Sequence, residues 1–176
     1  YVIATTAPLF SAPDIKASIV DYWPMGAQFS GEVGGDFIAT GEGFVHQRHV
    51  AAIDAPERDW VAVAEQYLGQ PYIWGGRGHR GIDCSGLVQA ALGQCGIAAP
   101  RDTDLQREGI GTPLAADEAL RRGDLLFFPG HVGIMVDAER LIHANAHWMA
   151  VTVEPLAAVA LRHPSHPEAI IAIGRL

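Results

Sequence analysis

A change of period near residue 54 constrains the fold of this chain more than any other feature. Through residue 50 the text is β-like. Short runs rich in Val, Ile, Phe and Tyr, at 1–4, 17–22, 37–40 and 44–46, are separated by Ala12-Pro13-Asp14, Pro24-Met25-Gly26, Gly34-Gly35-Asp36 and Gly41-Glu42-Gly43. A polar stretch follows at 54–59. Trp60, Val61, Ala64, Tyr67 and Leu68 then fall at helical spacing until Gly69-Gln70-Pro71 stops the run. A glycine-rich loop spans 74–81, and a second helix opens near Asp83 and runs through Leu87, Val88, Ala91 and Leu92 towards Gly96. From Asp124 onward the text reads as strands at 125–128, 131–136, 141–144, 150–153 and 169–173. The apolar run 156–161 has strand length too, and 163–167 reads as a rigid loop. The pattern predicts two domains: a small all-β barrel over 1–53 and an α+β domain over 54–176.

Charge removes several function classes. With 12 Lys and Arg against 20 Asp and Glu, the chain carries a formal charge of −8 and has no basic run, so nucleic acid and anionic membranes are poor partners. No stretch approaches the roughly 20 apolar residues of a membrane span. No basic segment precedes the apolar start, so no signal peptide is read, and the compartment stays open. Two cysteines, Cys84 and Cys95, make no disulfide framework; on one helix they would lie roughly 16 Å apart, beyond disulfide reach. Zinc is not expected, since neither C-x-x-C nor H-E-x-x-H occurs and His143-x-x-x-His147 straddles a strand end.

The chemistry concentrates at Asp83-Cys84-Ser85-Gly86, where the glycine loop meets the second helix. Asp83 is placed to cap that helix, which puts Cys84 in its first turn. There the dipole and the unbonded N–H groups favour a thiolate and could hold an oxyanion. A free cysteine is often just a small buried apolar residue. A helix start behind a glycine loop is a poor place to hide one, and the nucleophile is the preferred reading. Cys95, near the helix C-terminus, is read as structural.

A thiol nucleophile needs a base, and two of the eight histidines stand inside apolar strands. His131 opens Gly130-His131-Val132-Gly133-Ile134, and His143 sits in Leu141-Ile142-His143-Ala144. Each would be costly to bury without a hydrogen-bond partner, and either alone is more often a satisfied core histidine. Two on neighbouring strands, downstream of a cysteine at a helix start, suit catalysis. Because strand side chains alternate faces, they share a face only if the connection around 137–140 is odd or bulged. His46 and His49 belong to the barrel and are expected in solvent; His79 lies in the glycine loop.

These segments resemble the NlpC/P60 cysteine peptidases of bacterial cell-wall metabolism. The resemblance covers roughly residues 60–176. Its carriers are Pro71-Tyr72-Ile73-Trp74-Gly75-Gly76, Asp83-Cys84-Ser85-Gly86-Leu87-Val88, Arg101-Asp102-Thr103-Asp104-Leu105-Gln106, Arg122-Gly123-Asp124-Leu125-Leu126-Phe127-Phe128, and the two histidine strands, in the family's order. Residues 1–50 look like a bacterial SH3-type (SH3b) barrel, a frequent partner. The resemblance implies a papain-like α+β fold with Cys84 as nucleophile, His131 as base and His143 as the residue that orients it. It also implies substrate-binding roles for Tyr72, Asp83, Ser85, Arg101 and Asp102. Tyr72 could otherwise be a packed aromatic, and Asp83 a helix cap.

The resemblance further implies cleavage of γ-D-glutamyl–diaminopimelate bonds in peptidoglycan or released murein peptides, through a thioester and without a cofactor. In some relatives an SH3-type partner narrows the cleft, so that a free N-terminal L-alanine is required. Asp83 could face that amine, with Asp21, Tyr22, Trp23, Glu32 or Asp36 contributing from the barrel. Location would be the envelope, or the cytoplasm for a recycling enzyme. The alternatives are a CHAP-like amidase, against which His143 argues, and a thioester-forming acyltransferase, for which no anchor is seen. A wall-binding barrel beside an inactive second domain is a third.

Overall fold

In the computed structural model, residues 1–115, 117–163 and 169–176 are described. The chain divides into two compact units, Tyr1–Pro56 and Glu57–Leu176.

The first unit has five short antiparallel strands: β1 (Thr6–Phe10), β2 (Ile19–Pro24), β3 (Glu32–Gly34), β4 (Phe37–Thr40) and β5 (Gly43–His46), in the order β2-β1-β5-β4-β3. A pairing of β2 with β3, which would close a barrel, is not among those of the described residues. The first strand lies later than its expected place at 1–4, where Val2 makes only an isolated bridge to Val50. Pro8 obscures it in the sequence. The strand tolerates that proline because Pro8 pairs only with Tyr22 of β2, while pairing to β5 begins at Leu9. Val2, Ala7 and Val45 form the core, with Trp23, Phe29 and Ile38 packed around it. β3 was not anticipated; its Val33 is exposed and offers no burial signal. His46 and His49 are half-buried rather than solvated, and His46 lies edge-on to Phe37.

The second unit opens with α1 (Trp60–Glu65), capped by Asp59, whose carboxylate accepts from Val61 and Ala62 N–H. The helix stops before Leu68, which is exposed, and Gly69 takes a positive φ. The glycine-rich segment folds as a small hairpin, β6 (Arg77–Gly78) and β7 (Gly81–Ile82), leading into α2 (Cys84–Gln94). Then follow α3 (Thr103–Gly109), β8 (Thr112–Pro113), β9 (Leu125–Phe128), β10 (His131–Met135), β11 (Arg140–Asn145), β12 (Ala150–Pro155), α4 (Leu156–Arg162) and β13 (Ala172–Arg175). Six strands form one antiparallel sheet in the order β12-β11-β10-β9-β13-β8.

β9 is buried on both faces, and its unbroken Leu-Leu-Phe-Phe reads accordingly. One sheet face carries Leu126, Phe128, Met135 and Leu141 under Val159 of α4. The run 156–161 is thus a helix and not a strand: Leu156, Val159 and Ala160 recur at helical spacing, a pattern too short to separate the two periods in advance. α3 has no apolar period, since Gln106 is its one buried residue, and was not expected. The last strand begins at Ala172, later than anticipated, and beyond His163 the segment read as a rigid loop lies outside the described residues.

The expected odd connection is present. Ile134 pairs with Ile142 and Met135 with Leu141, leaving residues 136–140 between them. Carried along the strands, this register puts His131 and His143 on one face. Gly133 makes room there: a Cβ on it would lie 2.3 Å from Leu141 Cδ1 and 3.5 Å from His143 Cβ. α2 packs against β10 and β11, which brings its N-terminus to the histidine strands.

Candidate active site

Asp83 caps α2, its Oδ1 accepting from Gly86 N–H at 2.7 Å. Its Oδ2 accepts from Gly75 N–H at 2.8 Å and so ties the glycine loop to the helix. Arg101 forks onto both oxygens, Nη1 at 3.0 Å and Nη2 at 2.5 Å, and Nη1 also donates to Ser85 Oγ at 2.8 Å. Asp83, Ser85 and Arg101 are therefore one cluster. The buried Asp83 carboxylate is occupied by protein donors, whatever else it meets. Gly86 is required beside it, because a Cβ there would come within 2.5 Å of the Gly76 carbonyl oxygen.

Cys84 follows directly and is only 6% exposed, contrary to the exposed position expected at a helix start. Burial pushes its thiol up. Hydrogen bonds from the Val132 and Ser85 backbone and from Thr103 offset part of that rise, and Asp83 adds to it. The expected thiolate-favouring effect of the helix start is thus outweighed by desolvation. Thr103 Oγ1 lies 3.8 Å from Sγ. Val132 is the residue after His131, so the sulfur sits against the backbone at the start of β10. Tyr72 is half-buried nearby; burial first, then its neighbours Cys84 and Asp83, push its hydroxyl up, so it remains a hydrogen-bond donor at neutral pH.

His131 Nε2 lies 2.7 Å from His143 Nδ1, and His143 Nε2 lies 2.9 Å from Glu154 Oε1 on β12. Arg162, the last residue of α4, reaches both oxygens of Glu154, one bond being 2.7 Å from Nη1 to Oε2. Thr152 Oγ1 adds a contact to Oε1 at 3.3 Å, and Asn145 Nδ2 donates to Thr152 Oγ1 at 2.8 Å. Burial, then His143, His163 and Arg162, hold His131 down to about 3. His143 is also lowered, by burial, with Glu154 opposing. Burial would raise Glu154, but Arg162, Trp148 and His143 hold it at about 2. Glu154 and Arg162 were missed in the sequence. The signal was there: Thr152 and Glu154 alternate with Val151 and Val153, so polar groups line one face of a strand neighbouring His143.

A cleft of about 710 Å³ opens beside the thiol, lined by Cys84 and Ser85 and by charges of both signs, Asp83, Asp102, Asp104, Arg101 and Arg107. Asp102 stands at the N-cap of α3 without using its side chain to cap. Cys95 ends α2 half-buried, and both cysteines are free thiols. Among the described residues no group of three or more His, Cys, Asp or Glu is arranged to hold a metal ion, and no helix is long and apolar enough to cross a membrane.

A profile of the NlpC/P60 family matches residues 69–163, more than half of the chain and the whole span from the glycine loop to the end of α4. The chain belongs to the NlpC/P60 family. Dipeptidyl-peptidase 6 of Lysinibacillus sphaericus is 36% identical over 120 residues, covering 66% of this chain and 43% of that protein. The γ-D-glutamyl-L-lysine dipeptidyl-peptidase of Bacillus subtilis is 33% identical over 116 residues, covering 59% of this chain and 38% of that one. This chain thus spans less than half the length of either relative. A solved NlpC/P60 family protein of Bacillus cereus aligns over 99% of this chain and 61% of its own, with a TM-score of 0.71 and 24% identity, a likeness of fold. The mixed α/β architecture of this NlpC/P60 chain is the one its relatives share.

Proposed function

We propose that this chain hydrolyses the amide bond after γ-D-glutamate in peptidoglycan stem peptides, with diaminopimelate as the residue released. Cys84 is the nucleophile, His131 the general base and His143 the residue that orients it. The observation that carries this reading is a buried thiol at a helix start, against the strand that bears His131, itself hydrogen-bonded to His143 on the next strand, at the wall of a cleft lined by both charges. The name of the Bacillus subtilis relative supports the γ-D-glutamyl link.

With the thiol pushed up and His131 held down, the resting pair is neutral, and the base acts as the bond forms. His131 takes the Cys84 proton while Sγ attacks the carbonyl carbon. N–H groups at the start of α2 and the Tyr72 hydroxyl receive the oxyanion. The proton passes to the leaving amine, the C–N bond breaks, and a thioester remains. Water then gives a proton to His131 and attacks the thioester; the acid leaves and the proton returns to sulfur. No cofactor enters these steps.

Asp83 is filled by Arg101, so the ammonium of an N-terminal L-alanine is assigned to Asp102, which lines the same cleft. The N-terminal unit is proposed as an SH3-type barrel, a reading supported by its five short antiparallel strands and the 3₁₀ turn Gln47–His49 after β5.

The test is mass spectrometry of L-Ala-γ-D-Glu-diaminopimelate, its L-lysine counterpart and its N-acetylated form after incubation with wild type and Cys84→Ala. Diaminopimelate released by wild type alone is expected, with acetylation blocking release. No cleavage of any peptide would overturn the γ-D-glutamyl assignment in favour of an amidase or acyltransferase.

A further inference from the structure

Glu154 meets two groups that can only donate, and the Thr152 hydroxyl, which itself accepts from Asn145 Nδ2, turns its proton to Oε1. Arg162 has no acceptor, and the Trp148 indole, which also bonds Glu154, has none either. Against such partners the carboxylate is ionised and accepts only. His143 Nε2, at 2.9 Å, must then carry a proton and donate it to Oε1. A neutral imidazole has one N–H, so His143 Nδ1 is a lone pair. His131 Nε2 lies 2.7 Å from that lone pair and must donate in turn. The one N–H of His131 is thereby used at Nε2, and its Nδ1 is left as the free base.

Without Glu154 the chain of bonds could run in reverse. His143 would carry its proton on Nδ1 and donate to His131 Nε2, His131 would hold its proton on Nδ1, and no nitrogen would remain to accept one from a thiol. Both directions satisfy the His131–His143 hydrogen bond equally well. The choice between them is made one residue further out.

We propose that Glu154, gripped by Arg162, is a positioning residue that selects the tautomers of His143 and His131 and so makes Nδ1 of His131 the catalytic base. This rests on the reading of His131 as base. When the thiol is deprotonated, one proton moves, from Sγ to His131 Nδ1; the two Nε2 protons stay where they are, and Glu154 takes none. The charged and titratable groups facing this pair are His163 and Arg162 from α4 and its end, Glu154 from β12, and His147 from the turn after β11.

Two measurements test it. In ¹⁵N-labelled Cys84→Ala protein, long-range ¹H–¹⁵N correlation of the imidazoles should show both His131 and His143 protonated on Nε2, with unprotonated Nδ1. A proton on Nδ1 of either neutral ring overturns the proposal, and this needs no change at Glu154. Second, the rate of Cys84 alkylation by iodoacetamide, mapped by peptide to exclude Cys95, is followed against pH in wild type, His131→Ala and Glu154→Gln. The Gln amide can donate as well as accept and frees the tautomer choice, so alkylation at neutral pH should fall about tenfold or more, as for other groups that orient a reacting side chain. If His131→Ala slows alkylation and Glu154→Gln does not, this proposal fails while the assigned base stands. If His131→Ala has no effect, the base assignment itself falls.

Discussion

Asp83 shows how much a single carboxylate can be asked to hold. It caps α2, ties down the glycine loop through Gly75 and receives both arms of Arg101. Removing the guanidinium would leave a buried charge without its partner. Arg101→Ala is therefore expected to lower stability by about 3 kcal/mol, read as a shift of the urea midpoint, and Arg101→Lys, which cannot span both oxygens, to recover only part. An unchanged midpoint would contradict the buried fork. The cap was legible in the sequence, because an Asp before a helical run has a local purpose. Arg101, 18 residues away, was named from a motif, and its bond to Asp83 could not be read because it depends on how α2 and α3 meet. The same gap explains the misjudged exposure of Cys84: Thr103 on α3 helps cover it, and α3 has no apolar period to announce it.

Among the elements, β10, β11 and β12 form the unit that matters most. Strand parity allows both histidines on one face only with an odd or bulged connection, and the pairing of Met135 with Leu141 supplies the odd one. Glu154 lies beyond Val153, where the β-like pattern stops two residues short of the strand's end at Pro155, and α4 is hidden because a six-residue apolar run fits either period. The charges these elements bury set the response to acid. His131 is held from its ordinary 6.5 down to about 3, so between those values the unfolded chain binds the proton that the fold refuses, and stability falls as pH falls. Glu154 is held from 4.5 down to about 2; its contribution is complete above 4.5 and is lost as pH drops towards 2. The melting temperature should therefore decline from pH 6.5 downward and more steeply below 4.5, and His131→Ala should flatten the upper part. A melting temperature constant from 6.5 to 4.5 would contradict a His131 held neutral by the fold.

For the whole molecule, the switch of period near residue 54 marked two bodies, and the structure divides the chain at Pro56 and Glu57. The second body carries every group in the proposed chemistry, and residues far apart along it, Trp74, Cys84, Arg101 and Phe128 among them, line one cleft. The claim on which the rest depends is that Cys84 becomes acylated. The direct measurement is rapid acid quench of wild type mixed with L-Ala-γ-D-Glu-diaminopimelate, followed by peptide-level mass spectrometry. An L-Ala-γ-D-Glu thioester on the peptide containing Cys84, absent from Cys84→Ala, is the expected result. Turnover with an unmodified Cys84, or persistent cleavage by Cys84→Ala, would contradict it.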